Sequence, residues 1–272
     1  NCILTPGLID THTHVGILGE ITDGMRDHNE ISYPYNPLMS AVDAINPHHH
    51  SFKDAREGGV TTVQTGAGSH NAIGGVWCII KTTGNTVEEM ILRLRSGLKG
   101  ALGENPKSRH GQVGKREPFT RMSIAKLIRY GFRRAQIVLQ EKKTDLAALY
   151  ERGQEDLIPF IEVLQGKMPL RLHAHRADDI VTAIRIAKEF DIKLSLEHCT
   201  EGFKVVSYIK ESGFPVSLGP FMGQPGKYEA RDTNLENPKI LSEAGIMVAI
   251  NTDHPFNPIQ YLSICAAEAV KN

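Results

Sequence analysis

The sequence predicts an α/β chain folded as a closed (β/α)8, TIM-like barrel spanning residues 1–272. Three observations carry this. Short aliphatic or β-branched runs alternate with longer stretches of helical apolar spacing, roughly eight times along the chain. The length of 272 residues suits one barrel domain. No Gly-x-Gly-x-x-Gly loop follows a strand: Gly66-Ala67-Gly68 begins like one, but Ser69-His70-Asn71 breaks it. That argues against an open dinucleotide-binding sheet.

The elements follow in order. Pro6-Gly7 leads into a strand at Leu8–Thr13. Ser51–Glu57 reads as the end of a helix closed by Gly58-Gly59, and Val60–Thr65 is a β-branched strand. Residues 77–82 form the next strand candidate. Val87, Ile91, Leu94 and Leu98 have helical spacing, so residues 87–98 read as a helix. A short strand at 98–102 then ends in the turn Gly103-Glu104-Asn105-Pro106. Residues 124–139 and 146–164 read as helices. Beyond them strands are expected at Leu170–Ala174, 193–197, 215–218 and 247–251. Helices are expected between and after them at 180–190, 203–211, 235–244 and 261–271. The polar, basic, glycine-rich stretch 108–120 reads as a long loop over one barrel face, a lid or a disordered segment.

Composition narrows the function. Lys+Arg and Asp+Glu are equal at 31 each, and no basic stripe suggests nucleic acid or an anionic membrane as a partner. No apolar run approaches the roughly 20 residues of a membrane span, and no secretory leader is visible. Cys2, Cys78, Cys199 and Cys265 are scattered and form no C-x-x-C pair, as expected of reduced, mostly buried thiols in a cytoplasmic protein. The first residues already lead into a strand and the last lie in a helix, so the expectation is a piece of a longer chain.

Chemistry concentrates where a barrel places it, at the C-terminal strand ends. His12 and His14, at spacing i, i+2, project to one face of the first strand, as two imidazoles must to share a metal. Glu104 follows the 98–102 strand. Leu170–Ala174 brings His173 and His175, with Arg176 next. Residues 193–197 lead into His198, and 247–251 into Asp253 and His254. His70 follows a strand end and is a weaker candidate for substrate contact. The tract His48-His49-His50 reads as a solvated loop, and His28 and His110 as loop residues.

The run Pro6-Gly7-Leu8-Ile9-Asp10-Thr11-His12-Thr13-His14 resembles the first-strand signature of the amidohydrolase superfamily. The resemblance continues through Gly59-Val60-Thr61-Thr62-Val63, His173-Ala174-His175, Glu197-His198 and Thr252-Asp253-His254-Pro255. It is nearer to the imidazolonepropionase-like and prolidase-like branch than to others. It implies a metal-dependent hydrolase that cleaves a C–N bond, amide or cyclic amide, of a small molecule. The metal ligands it implies are His12, His14, His173, His198 and Asp253, with Glu104 preferred as a further ligand. Lys99 is the alternative bridging ligand, and Lys81 a weaker third.

Asp253 would take the proton of the attacking water. His198 or His175 would stabilise the developing oxyanion. Arg176 would grip a substrate carboxylate, unless it is paired with Asp178 or Asp179. Tyr33 and Tyr35 would wall the pocket or pack their loop. The cofactor implied is one or two divalent ions, zinc first, with iron, manganese or nickel as alternatives. Family members usually add a β-sandwich built from both chain ends, and this sequence is expected to lack it. A deaminase of a cyclic amidine and a catalytically silent metal-binding member are the competing readings, and a homo-oligomer is left open.

Overall fold

The computed structural model describes residues 4–19, 26–142, 144–222 and 226–271. Eight strands stand side by side in chain order: β1 (Leu8–Thr13), β2 (Val60–Thr65), β3 (Ile73–Lys81), β4 (Ile91–Ala101), β5 (Leu170–Ala174), β6 (Leu194–His198), β7 (Val216–Leu218) and β8 (Val248–Ile250). The TIM-like barrel expected from the sequence is therefore present. It closes just beyond the strands: Asp253 donates its N–H to the His12 carbonyl (3.1 Å), and His14 donates to the His254 carbonyl (3.0 Å). Asp10 reinforces this seam by accepting from the Thr252 hydroxyl at 2.6 Å and its N–H at 3.1 Å.

One strand departs from the expected repeat. β3 runs antiparallel to both β2 and β4, whereas the other neighbours are parallel. The reason is connection length. Residues 66–72 between β2 and β3 are too few for a parallel crossover, which needs about a dozen or more. The link from β3 to β4 holds only the short helix Val87–Met90. The helix expected over 87–98 is thus mostly strand. Pairing of β4 with the buried β3 overrides the helical spacing, and leaves Leu92 and Leu94 exposed. Reversal of β3 also places Lys81 at the opposite rim, exposed and donating to Thr62 Oγ1.

Two further expectations change. The helix over 146–164 breaks into Leu146–Glu151, a 3-10 turn Glu155–Leu157 and Ile158–Leu164, interrupted at Gly153 (φ 60°). The loop over 108–120 is wound in its first half, Lys107–Val113.

The apolar cores lie outside the strands. Phe132, Phe160, Ile180 and Leu196 belong to a large cluster between sheet and helices, and Phe52, Val63, Cys78 and Ile259 to a second. Cys199 is an inert core thiol as expected, and Cys2 falls outside the described residues. The barrel interior, by contrast, buries Gln64, Lys99, Arg171 and Glu197. Among the described residues no helix is long and apolar enough to cross a membrane.

The helix Arg121–Gln140 carries Gly131 against the Phe160 ring, where an added Cβ would sit 2.2 Å from Cζ. Phe160 cannot yield, being stacked on Tyr35 (5.7 Å) and edge-on to Phe132 (5.0 Å). Gly131→Ala should therefore be destabilising. The helix-propensity gain of about 1 kcal/mol is smaller than an overpacking cost of about 1–3 kcal/mol. Urea denaturation checks this, and stability at or above wild type would show that the ring can move.

Candidate metal centre

Strand alternation sends Lys99 inward from β4, Arg171 and His173 from β5, and Glu197 from β6, and His12 meets them from β1, past an irregularity in that strand's pairing. His198 follows Glu197 directly, so alternation would turn it outward. Its backbone is left-handed instead (φ 69°), as is that of Asp253 (φ 51°). Non-glycine residues in this region are uncommon and cluster at functional sites. The left-handed turns carry both side chains over the barrel mouth.

There the side chains converge. The His12 ring lies 4.6 Å from His198 and 5.8 Å from His14. His173 lies 4.5 Å from His198 and 4.6 Å from His175. Two groups, His12–His198–Asp253 and His173–His175–His198, each offer ligand atoms within 4.8 Å of one another. Donors around one tetrahedral cation at about 2.1 Å sit roughly 3.4 Å apart. His12 Nε2 and His14 Nε2 lie 3.5 and 3.3 Å from Asp253 Oδ1. His12 Nε2 and His175 Nε2 are buried without a hydrogen-bond partner among the described residues. A buried polar atom of that kind is costly unless something binds it. This donor set fits a divalent metal.

Each ring is anchored through its other nitrogen. His14 and His198 Nδ1 lie 2.7 Å from the carbonyls of Gly66 and Gly219. His173 meets Ser69 Oγ at 3.0 Å, His175 meets Thr200 Oγ1 at 2.6 Å, and His12 meets Glu197 Oε2 at 2.6 Å. Burial lowers the pKa of His12, His173 and His175 well below the usual histidine value, and that of His198 to about 4. The imidazoles are therefore neutral, the form that binds metal. Burial pushes Asp253 up, but His198, His14 and Lys99 outweigh it and hold the carboxyl below its ordinary value. Burial also lowers Lys99 to about 8 and raises Asp10 to about 7.

The sequence-derived candidates separate. His12, His14, His173, His198 and Asp253 come together, and His175 lies with them, its ligand atom grouped with those of His173 and His198. Glu104 does not join them. It opens the short helix Glu104–Pro106, where its N–H donates to Glu229 Oε2 (2.7 Å) and its Oε2 accepts from the Glu229 N–H (3.2 Å). Lys99 is the side chain at the centre, with Nζ 4.9 Å over the Trp77 ring.

Arg176 is paired with Asp178 in two hydrogen bonds of 3.0 and 2.9 Å. Tyr33 is exposed and Tyr35 packs on Phe160. His70 is half-buried at the mouth, 6.2 Å from the His28 ring. His28, read from sequence as a loop residue, reaches within 5.8 Å of the His14 ring. His49 is buried rather than solvated, bonded to Ser51, and His110 is also buried, bonded to Asn71. Glu197, Trp77, Ser69 and Thr200 had no sequence signal beyond the position of Glu197 beside His198.

The sequence matches no family model. A crystal structure of an amidohydrolase from Thermotoga maritima MSB8 superposes with a TM-score of 0.91 at 36% identity, over 98% of this chain and 70% of that chain. The chain belongs to the amidohydrolase superfamily. Amidohydrolase tasK of Hapsidospora irregularis is 25% identical over 293 residues, 97% of this chain, and this chain spans 30% of its length. In this amidohydrolase barrel the shared mouth of β1, β5, β6 and β8 carries the ligand-type side chains.

The Asp10–Thr252 contact holds that mouth together across the seam. Thr252→Val removes the hydroxyl donor of a fully buried carboxyl and should cost about 1–3 kcal/mol. A denaturant midpoint equal to that of wild type would show that the seam does not need this bond.

Proposed function

We propose that this chain is a metal-dependent hydrolase that cleaves the C–N bond of an amide or cyclic amide in a small molecule. The observation that carries the reading is the convergence of neutral, buried imidazoles with one ionised carboxylate at the barrel mouth. His12, His14, His198 and Asp253 would hold the cation, zinc first, with His173 and His175 available to a second ion. A bound divalent ion supplies Lewis acidity and lowers the pKa of water to about 7.

The protein residues supply the rest. Asp253, held below its ordinary pKa, accepts a proton from the attacking water and returns it to the departing nitrogen. The Gly66 and Gly219 carbonyls fix the rings of His14 and His198, so their Nε2 atoms keep one direction through turnover. His175, anchored on Thr200, presents Nε2 to the same space, where it can meet the substrate oxygen. His28 and His70 line the entrance and are the nearest imidazoles for substrate contact.

A panel of N-acyl amino acids, dipeptides and cyclic ureides, assayed with zinc or manganese, tests this. Asp253→Asn keeps a residue that tolerates the left-handed backbone. It should lose at least about 100-fold in kcat, the scale of one general base. His12→Ala with His14→Ala should lose both hydrolysis and bound metal. Retained activity in that double variant, or purified protein without stoichiometric metal after reconstitution, would sink the mechanism.

A further inference from the structure

Of the five imidazoles at the centre, His12 differs in what stands behind it. The partners of His14 and His198 are backbone carbonyls, and those of His173 and His175 are hydroxyls. His12 Nδ1 meets a carboxylate, Glu197 Oε2, at 2.6 Å, and both side chains are fully buried. The same oxygen accepts from Arg171 Nη2 at 2.8 Å. Arg171 is buried in turn, and donates to Gln64 Oε1 at 2.7 Å and to the Thr11 carbonyl at 2.6 Å. Gln64 passes the chain on to Ser96 Oγ at 2.7 Å.

The protonation follows from these partners. The guanidinium of Arg171 can only donate, so the Glu197 Oε2 that it shares with His12 is an acceptor. His12 Nδ1 therefore carries the ring hydrogen, and Nε2 keeps its lone pair on the edge that faces Asp253. Trp77, 4.6 Å away and edge-on, limits tilting of the ring. A carboxylate behind a ligating imidazole raises its basicity as well as orienting it, whereas a carbonyl or hydroxyl adds no charge.

We propose that Glu197 and Arg171 are positioning residues, a buried relay inside the barrel that fixes His12 as the Nε2-ligating tautomer and strengthens its grip on the cation. The proposal rests on the metal-centre reading above and adds to it the two residues that set the His12 ligand.

Glu197→Gln keeps the shape and one acceptor but removes the charge. With the full chain, affinity for zinc or cobalt is read by competition with a chromophoric chelator. It should fall about 10–100-fold in Glu197→Gln. Thr200→Val, which strips a neutral partner from His175, should lose less. Nitrogen NMR of the metal-free wild type, with His12 assigned by its loss in His12→Asn, should show the hydrogen on Nδ1. This measurement holds even if Glu197→Gln does not fold. Wild-type affinity in Glu197→Gln, an equal loss in Thr200→Val, or the hydrogen on Nε2 overturns the relay. Wild-type protein that takes up no cation overturns the metal reading and the relay together.

Discussion

Burial of five imidazoles at one barrel mouth constrains everything around it. Burial keeps His12, His173, His175 and His198 neutral, and a neutral ring has one N–H and one lone pair. The centre works only if each Nδ1 is committed to a fixed partner, so that each Nε2 points inward. Those partners come from other strands, some adjacent and some across the barrel: Gly66 and Ser69 follow β2, Glu197 and Thr200 flank the end of β6, and Gly219 follows β7. A ligand on one strand is thus held by another, and the geometry belongs to the closed barrel rather than to any single segment.

That demand explains the unusual interior. Barrel centres are ordinarily filled with branched aliphatic side chains. Here the interior beneath the mouth holds Arg171, Glu197, Gln64 and Lys99 around the single tryptophan, Trp77. Hydrophobic stabilisation comes instead from the layers between sheet and helices, around Phe132, Phe160 and Phe52. The polar interior is tolerable because it is largely cross-bonded: Arg171 alone reaches three acceptors on β1, β2 and β6. Left-handed backbone at His198 and Asp253 is a local strain that the surrounding strands absorb.

Much of this was legible in the sequence, and the failures have physical causes. Parallel strands β1, β2 and β5 were readable because each is a short β-branched or aliphatic run bounded by turns. The helical spacing over residues 87–98 misleads because three of its four apolar residues, Ile91, Leu94 and Leu98, lie on a strand whose partner, β3, supplies the pairing. The direction of β3 follows from a seven-residue link, residues 66–72, too short to cross the sheet. Glu104 was favoured over Lys99 because it follows the strand directly. The chain turns at Gly103 (φ 82°) and sends Glu104 to the Glu229 backbone, while Lys99 already faces inward.

The sequence by itself determined the barrel and pointed to the histidines and the aspartate at its strand ends, because strand runs and strand-end position are local properties of the chain. Only the tertiary structure decided what stands behind those ligands. Glu197 meets His12 across 185 positions of sequence, and Ser69 meets His173 across 104. Such contacts have no local signature: they exist because barrel closure brings distant strands within hydrogen-bond reach. The tautomers of His14 and His198, whose Nδ1 atoms face carbonyls that only accept, are set at that level.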